Sequence, residues 1–244
     1  MAARAKATLE RVAETFCLQF ADFAMSSHGG AVESATLVYM ANTCMLAFNS
    51  PSRDTPGTLS DHLHRREMYG DATRESIAEL ASTSRQVLRR QLAPLSDELL
   101  NAAKNMALPN TVNTQYGVTR LMDYLRANTI ELCVLMLKRG ANPSRQTLGE
   151  SVRALLAVLA ERHPGQSIEV RVPPYSAVQV GAFSDGPTHR RGTPPNVVET
   201  DAKTFLALAV GADEWERVFS SGKLSVSGAH AAEIDRMLPI YRIN

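Results

Sequence analysis

Cysteine is scarce in this chain and charge is balanced, and each shortage excludes a class of protein. Cys17, Cys44 and Cys133 are its three cysteines. They are an odd number set inside apolar helical patterns, so a disulfide framework is not expected and a reducing cytoplasm is the natural compartment. No CxxC or CxxH spacing occurs. Lys and Arg total 26 against 25 Asp and Glu, a formal net charge of +1, which gives no electrostatic reason to expect nucleic acid or an anionic membrane as partner. Nowhere do eighteen apolar residues run together, so no stable membrane insertion is expected. Glu10 and Glu14 interrupt the N-terminal segment where a signal peptide would need an apolar core. There is no internal repeat and no low-complexity segment.

What is present is 244 residues with a 44% hydrophobic share, enough for two modest domains, each with its own core. The first 140 residues read as helices. Leu9, Val12, Phe16, Phe20 and Phe23 recur at helical spacing, and Ser26 to Gly30 is a small-residue break. The pattern predicts a second helix over about 32–48, a polar, solvated stretch through Glu67, a third helix over 72–92, a short one capped near Ser96, and a last long helix over 118–137. A four-helix bundle is the economical packing. Gly140, Asn142 and Pro143 then stop the helix and mark the domain boundary, giving 1–143 and 144–244.

The second region is more informative. A helix over about 146–162 leads to a strand at 167–172. After a breaker-rich loop, Asn196 to Glu199 is a short β-branched strand, and Thr200 is a candidate N-cap. Phe205, Leu208 and Ala209 share one helical face, and Gly211 stops that helix. Trp215, Val218 and Phe219 repeat the spacing before Gly222, and Leu224 and Val226 alternate with polar residues as a half-buried strand does.

These residues resemble the closing segment of sterol carrier protein domains. The blocks EVRVPPYSAVQV, from Glu169 to Val180, and RGTPPNVVETD, from Arg191 to Asp201, are similar to the actinobacterial branch of that family. The resemblance implies a five-stranded sheet backed by helices, with an apolar tunnel for lipid-like ligands. A helical bundle followed by such a domain resembles the mycothiol-dependent maleylpyruvate isomerase family, whose first half is a DinB-like bundle. The anchor there is RLMDYLRANTIELCVLMLKRGA, from Arg120 to Ala141. In that family the helix typically ends with Glu-x-x-x-His, and a third ligand, a histidine, comes from the second helix, a set that suits zinc. This chain keeps Glu131, but Leu135 stands four residues on and the second helix has no histidine. A lone carboxylate gives no chelation, so Glu131 is at most a remnant and no metal or other cofactor is expected.

The remaining histidines, the thiol beside Glu131 and one basic loop each have a plainer reading. His62 and His64, with Asp61 and Glu67, read as a solvated linker rather than a metal site. His28 is explained by turn chemistry, and His163 and His230 by surface positions. Cys133 reads as a small buried hydrophobe, since nothing cationic adjoins it in sequence to lower its pKa. Thr188 to Thr193, with His189, Arg190 and Arg191, has the cations and hydroxyls to receive an anionic headgroup.

The expectation is therefore an α plus α+β protein: a DinB-like four-helix bundle followed by a sterol-carrier-like mixed sheet backed by helices. Its function is expected to be non-catalytic binding of a small apolar or amphipathic ligand. Phe205, Leu208, Trp215, Phe219, Val226 and Met237 form the candidate wall, and Arg190 and Arg191 the candidate headgroup contact. The alternative that the resemblance implies is a mycothiol-dependent isomerase or transferase with an altered metal site, requiring zinc and mycothiol. A homo-oligomer is compatible with either. Replacing Arg190 and Arg191 by Ala is expected to weaken binding of an anionic lipid much more than of its neutral analogue; equal losses in a lipid-binding titration would remove the headgroup role.

Overall fold

The structure, a computed structural model, describes residues 2–26, 28–183 and 195–243. The chain divides into two compact units, Met1–Thr147 and Leu148–Ile243.

The first unit is a helical bundle. Helices α1 (Ala2–Ser26), α2 (Ala31–Phe48), α5 (Arg85–Asn105) and α6 (Leu121–Lys138) are its long members, with α3 (Leu59–Met68) and α4 (Gly70–Ala81) beside them. The stripe Leu9, Val12, Phe16, Phe20 and Phe23 is buried as its spacing predicts. Helix α2 is long and apolar enough to cross a membrane by length and composition alone. Its Leu37, Val38, Ala41, Cys44 and Phe48 are instead buried in the bundle core. Glu33, in the first turn of α2, pairs with Arg139 at the end of α6, an acid at a helix start and a base at a helix end, as the backbone dipoles favour.

Three predicted boundaries are corrected. The helix expected over 72–92 is broken after Ala81, where Ser82, Thr83 and Ser84 form a polar break and the backbone at Ser84 leaves helical geometry. Helix α5 then runs unbroken through Pro94 to Asn105. Leu88, Leu92, Leu99, Ala102 and Ala103 stay on one buried face across it, and their burial outweighs the single backbone hydrogen bond that proline removes. Ser96 is no cap: its hydroxyl donates back to the carbonyl of Leu92 at 2.7 Å. The last bundle helix begins only at Leu121, because a hairpin precedes it. Strands β1 (Thr111–Thr114) and β2 (Gly117–Arg120) pair antiparallel, and Gly117 holds φ of 87° at the turn, where a side chain would be strained.

The second unit is a mixed sheet backed by helices. Helix α7 (Arg145–Arg162) leads to β3 (Ile168–Val172) and β4 (Ser176–Val180). After them come β5 (Val197–Thr200), α8 (Ala202–Ala209), α9 (Trp215–Ser220), β6 (Leu224–Ser227) and a 3-10 turn, Ala231–Met237. Among the described residues the sheet has four strands in the order β4-β3-β5-β6, with β3 and β5 parallel and the other pairs antiparallel. The register places Val170 opposite both Val178 and Val198, and Val198 opposite Val226, so one apolar face runs across the strands. The N-cap of α8 is Asp201, not Thr200. Its carboxylate accepts from the backbone N–H groups of Lys203 and Thr204 at 2.9 and 3.1 Å, and these bonds together with Thr204 Oγ1 hold its pKa below the ordinary value against a burial effect that raises it.

Asn196 explains why the segment before β5 is so particular. It is buried, its Nδ2 donates to the carbonyl of Ser167 at 2.9 Å, and its Oδ1 accepts from the backbone N–H of His230 at 2.9 Å. Its own carbonyl accepts from Glu169 N at 2.9 Å. One residue thus ties the approach to β3, the start of β5 and the end of β6. Gly228 has φ of 102° and lies so close to Pro195 and Asn196 that no Cβ fits. Asn196→Ala removes the partners of a part-buried carbonyl and a part-buried N–H, with an expected cost of about 1–3 kcal/mol. The chain's single tryptophan, Trp215, is buried in this unit, so urea unfolding followed by its fluorescence measures that loss. An unchanged midpoint would show that Asn196 is not the tie.

Candidate functional site

The polar centre of the bundle is built on α3, the segment that charge density marks as a solvated linker. That expectation is overturned for its inner face. Thr58 and Asp61 form a reciprocal capping box, with Thr58 N donating to Asp61 Oδ2 at 2.8 Å and Asp61 N donating to Thr58 Oγ1 at 3.3 Å. The helix so started buries Leu59, His62, Leu63 and Arg66, the spacing i, i+3, i+4, i+7 with a histidine and an arginine in two of the four places. His64 and Asp61 remain exposed.

Arg66 is the centre of the site. Its Nε donates to Glu131 Oε1 at 3.0 Å, its Nη2 to Glu131 Oε2 at 2.6 Å, and its Nη1 to Asn128 Oδ1 at 2.9 Å. Asn128 and Glu131 are three residues apart and so share a face of α6. The Arg66 side chain is 5% exposed and that of Glu131 22%. The guanidinium carbon also lies 4.7 Å from the ring centre of Tyr116 and 5.8 Å from that of Tyr124, both within cation–π range.

A cavity of about 30 Å³ opens beside this pair, room for two or three waters at roughly 10–15 Å³ each. Arg66 and Glu131 are its only charged lining residues, and they neutralise each other. The rest of the wall is hydroxyl and amide, from Tyr39 and Thr43 on α2, Gln115 and Tyr116 on the hairpin, and Asn128 on α6, with Met40 and Ile77 as apolar members. Thr73 Oγ1 lies 3.2 Å from Tyr116 OH. Burial, and then the neighbouring Tyr116, raise the Tyr39 phenol pKa, and burial raises that of Tyr124 further. These phenols are neutral hydrogen-bonding groups at physiological pH.

The donor set does not fit a metal ion. Both oxygens of Glu131 are engaged by Arg66, Leu135 supplies no donor, and the α2 wall offers oxygen and thioether groups rather than imidazole. Among the described residues no group of three or more histidine, cysteine, aspartate or glutamate side chains is placed to hold a metal ion. None of the three cysteines is in a disulfide and all are buried, and burial pushes the Cys17 thiol up to about 12 and that of Cys44 well above its ordinary value.

In the second unit, Phe205, Leu208, Trp215 and Met237 are 3–8% exposed. Val226 is half-buried on the apolar face of the sheet. Phe219 is 47% exposed and stacks on Trp215, ring centres 6.5 Å apart and planes within 4°. Helix α9 and the 3-10 turn both adjoin β6, which brings the elements carrying Trp215, Val226 and Met237 into one layer. Arg190 and Arg191, with the rest of the His189–Thr193 loop, lie outside the described residues. The sequence reading missed Arg66, Asn128 and Tyr116, and assigned His62 to a solvated linker where it is buried. The available signal was the Thr58-to-Asp61 cap followed by His62 and Arg66 four residues apart.

Residues 144–240 match the family model of the bacterial SCP (sterol carrier protein) ortholog. Among solved structures, a mycothiol-dependent maleylpyruvate isomerase is similar with a TM-score of 0.46 and 16% identity, over 92% of each chain. No curated protein matches the sequence.

Arg66→Met is expected to take the guanidinium fork from Glu131 and Glu131→Met to take the carboxylate from Arg66, each costing about 2–4 kcal/mol, toward the lower end of buried-pair losses because Glu131 is partly exposed. The double variant is expected to cost clearly less than the sum. Chemical unfolding followed by far-UV circular dichroism gives the cycle, and additive losses would show that the two side chains do not act as a pair.

Proposed function

We propose that this is a non-catalytic binding protein of the cytoplasm, working without metal, whose second unit takes an apolar or acyl, lipid-like ligand. The observation that carries the reading is the state of Glu131. A carboxylate that accepts two hydrogen bonds from one guanidinium, with its charge cancelled there, is not available to coordinate a metal or to take a proton from a substrate. The isomerase alternative requires that group to be free. The bundle is then a scaffold or interaction surface rather than a catalytic domain.

The match of residues 144–240 to the bacterial SCP ortholog family supports placing the ligand in the second unit. So does the apolar layer formed by Phe205, Leu208, Trp215, Val226 and Met237. At 3–4% exposure Phe205, Leu208 and Met237 are nearly closed off from solvent. An incoming acyl chain would therefore part packed side chains, exchanging their contacts for its own. Phe219, exposed and stacked on Trp215, is the aromatic surface such a chain would meet first.

Purified protein is expected to contain far less than one equivalent of zinc by elemental analysis, and native mass spectrometry after expression in lipid-rich cells is expected to show a co-purified lipid. Stoichiometric zinc would overturn the non-catalytic reading, and a clean ligand-free mass would count against the carrier reading.

A further inference from the structure

We infer that His62 is an acid-operated release for the Arg66 clamp: a proton placed on its imidazole sets a second cation against Arg66 and loosens α3 from α6. The inference rests on where the ring lies. His62 is 0% exposed, and neither ring nitrogen has a hydrogen-bond partner among the described residues. It packs between two phenol rings, 5.8 Å from Tyr116 at 74° and 5.8 Å from Tyr124 at 59°. Arg66 lies over the same two rings, so imidazole and guanidinium share one aromatic enclosure, one helical turn apart.

The groups around the ring offer an imidazolium no relief. From α3 itself come Arg65 and Arg66, both cations. From the hairpin comes the phenol ring of Tyr116 and from α6 that of Tyr124. Of the carboxylates on the packed elements, Asp61 is held in the Thr58 cap, Asp123 lies between Arg120 and Arg126, Glu67 is half-buried next to Arg66 in sequence, and Glu131 is already forked onto Arg66. Helix α4 carries Asp71, Arg74 and Glu75 on its solvent side. A buried cation without a counter-ion is costly, so the ring is kept neutral, and burial followed by the charges of Arg66 and Arg65 lowers its pKa well below 6.5. In the unfolded chain the same ring takes its proton near pH 6.5. Between those two values the unfolded state binds one more proton than the folded state, so stability falls as pH falls. The contribution is whole above pH 6.5 and lost on the way down to the folded value. Relief comes either from opening of the α3 face or from Glu131 exchanging Arg66 for the imidazolium, and both undo the clamp beside the cavity.

The test uses the full chain and His62→Phe, which keeps an aromatic ring and removes the titration, with His62→Leu as a second variant. Urea unfolding between pH 7.5 and 5.0 is expected to show the wild-type folding constant falling by up to tenfold per pH unit below 6.5 relative to either variant. His163, whose pKa is also lowered by burial and by Arg162, is retained in all three proteins and cancels in the comparison. Labelling of the buried Cys44 by 4,4′-dithiodipyridine, a reagent that works in acid, is expected to accelerate from pH 7.5 to 5.0 more in the wild type than in the variants. Identical pH slopes in all three proteins would overturn the inference. Should the variants fail to fold, an NMR titration of the wild-type ring decides: a His62 pKa at or above 6.5 overturns it, and one well below supports it.

Discussion

A single ion pair, Arg66 to Glu131, organises the centre of the bundle. It turns a charge-rich segment into a helix with a buried face, because an arginine can enter an apolar interior only when its donors are met. Here Glu131 meets two and Asn128 a third, and the faces of Tyr116 and Tyr124 take much of the remaining contact. The same pair makes the adjoining cavity electrically neutral and obliges His62 to stay uncharged. Cavity, histidine and hairpin position all follow from one carboxylate having found its cation inside the protein.

Much of the fold was legible in the sequence because most elements follow hydrophobic period. The stripe of α1, the Gly211 and Gly222 stops and the alternation at Leu224 and Val226 need no tertiary context to be read. The failures share a cause in tertiary context. Helix α3 buries His62 and Arg66, which a hydropathy pattern counts as solvent-facing. Pro94 lies inside α5 because the leucines on either side of it are buried on one face, a fact absent from any window centred on the proline. Thr200 and Asp201 are both good caps by residue type, and only the extent of β5 decides between them. The hairpin before α6 did leave a local trace in its threonines, valines and Gly117, which a helical template absorbed.

The candidate site divides in the same way. Glu131 was legible by resemblance, and its loss of histidine partners was legible from the sequence. Its replacement partner was not, since Arg66 is distant along the chain and sits among charges that look solvated. In the second unit the sequence names Phe205, Leu208, Trp215, Phe219, Val226 and Met237 as a candidate wall, and most of them are buried while Phe219 is 47% exposed. Whether such a layer encloses space depends on packing to within a methyl group, and period cannot report that.

Asn196 and Gly228 carry a last consequence, for how the most recognisable stretch of this chain is to be understood. The side-chain amide and the carbonyl of Asn196 are turned inward, to Ser167, His230 and Glu169, Gly228 is spent on clearance, and Asp201 on starting a helix. None of them presents chemistry to a visitor. At these three positions the stretch is a splice, not a receptor. Meeting the same stretch in another protein would report how that sheet is assembled and leave its cargo free to differ.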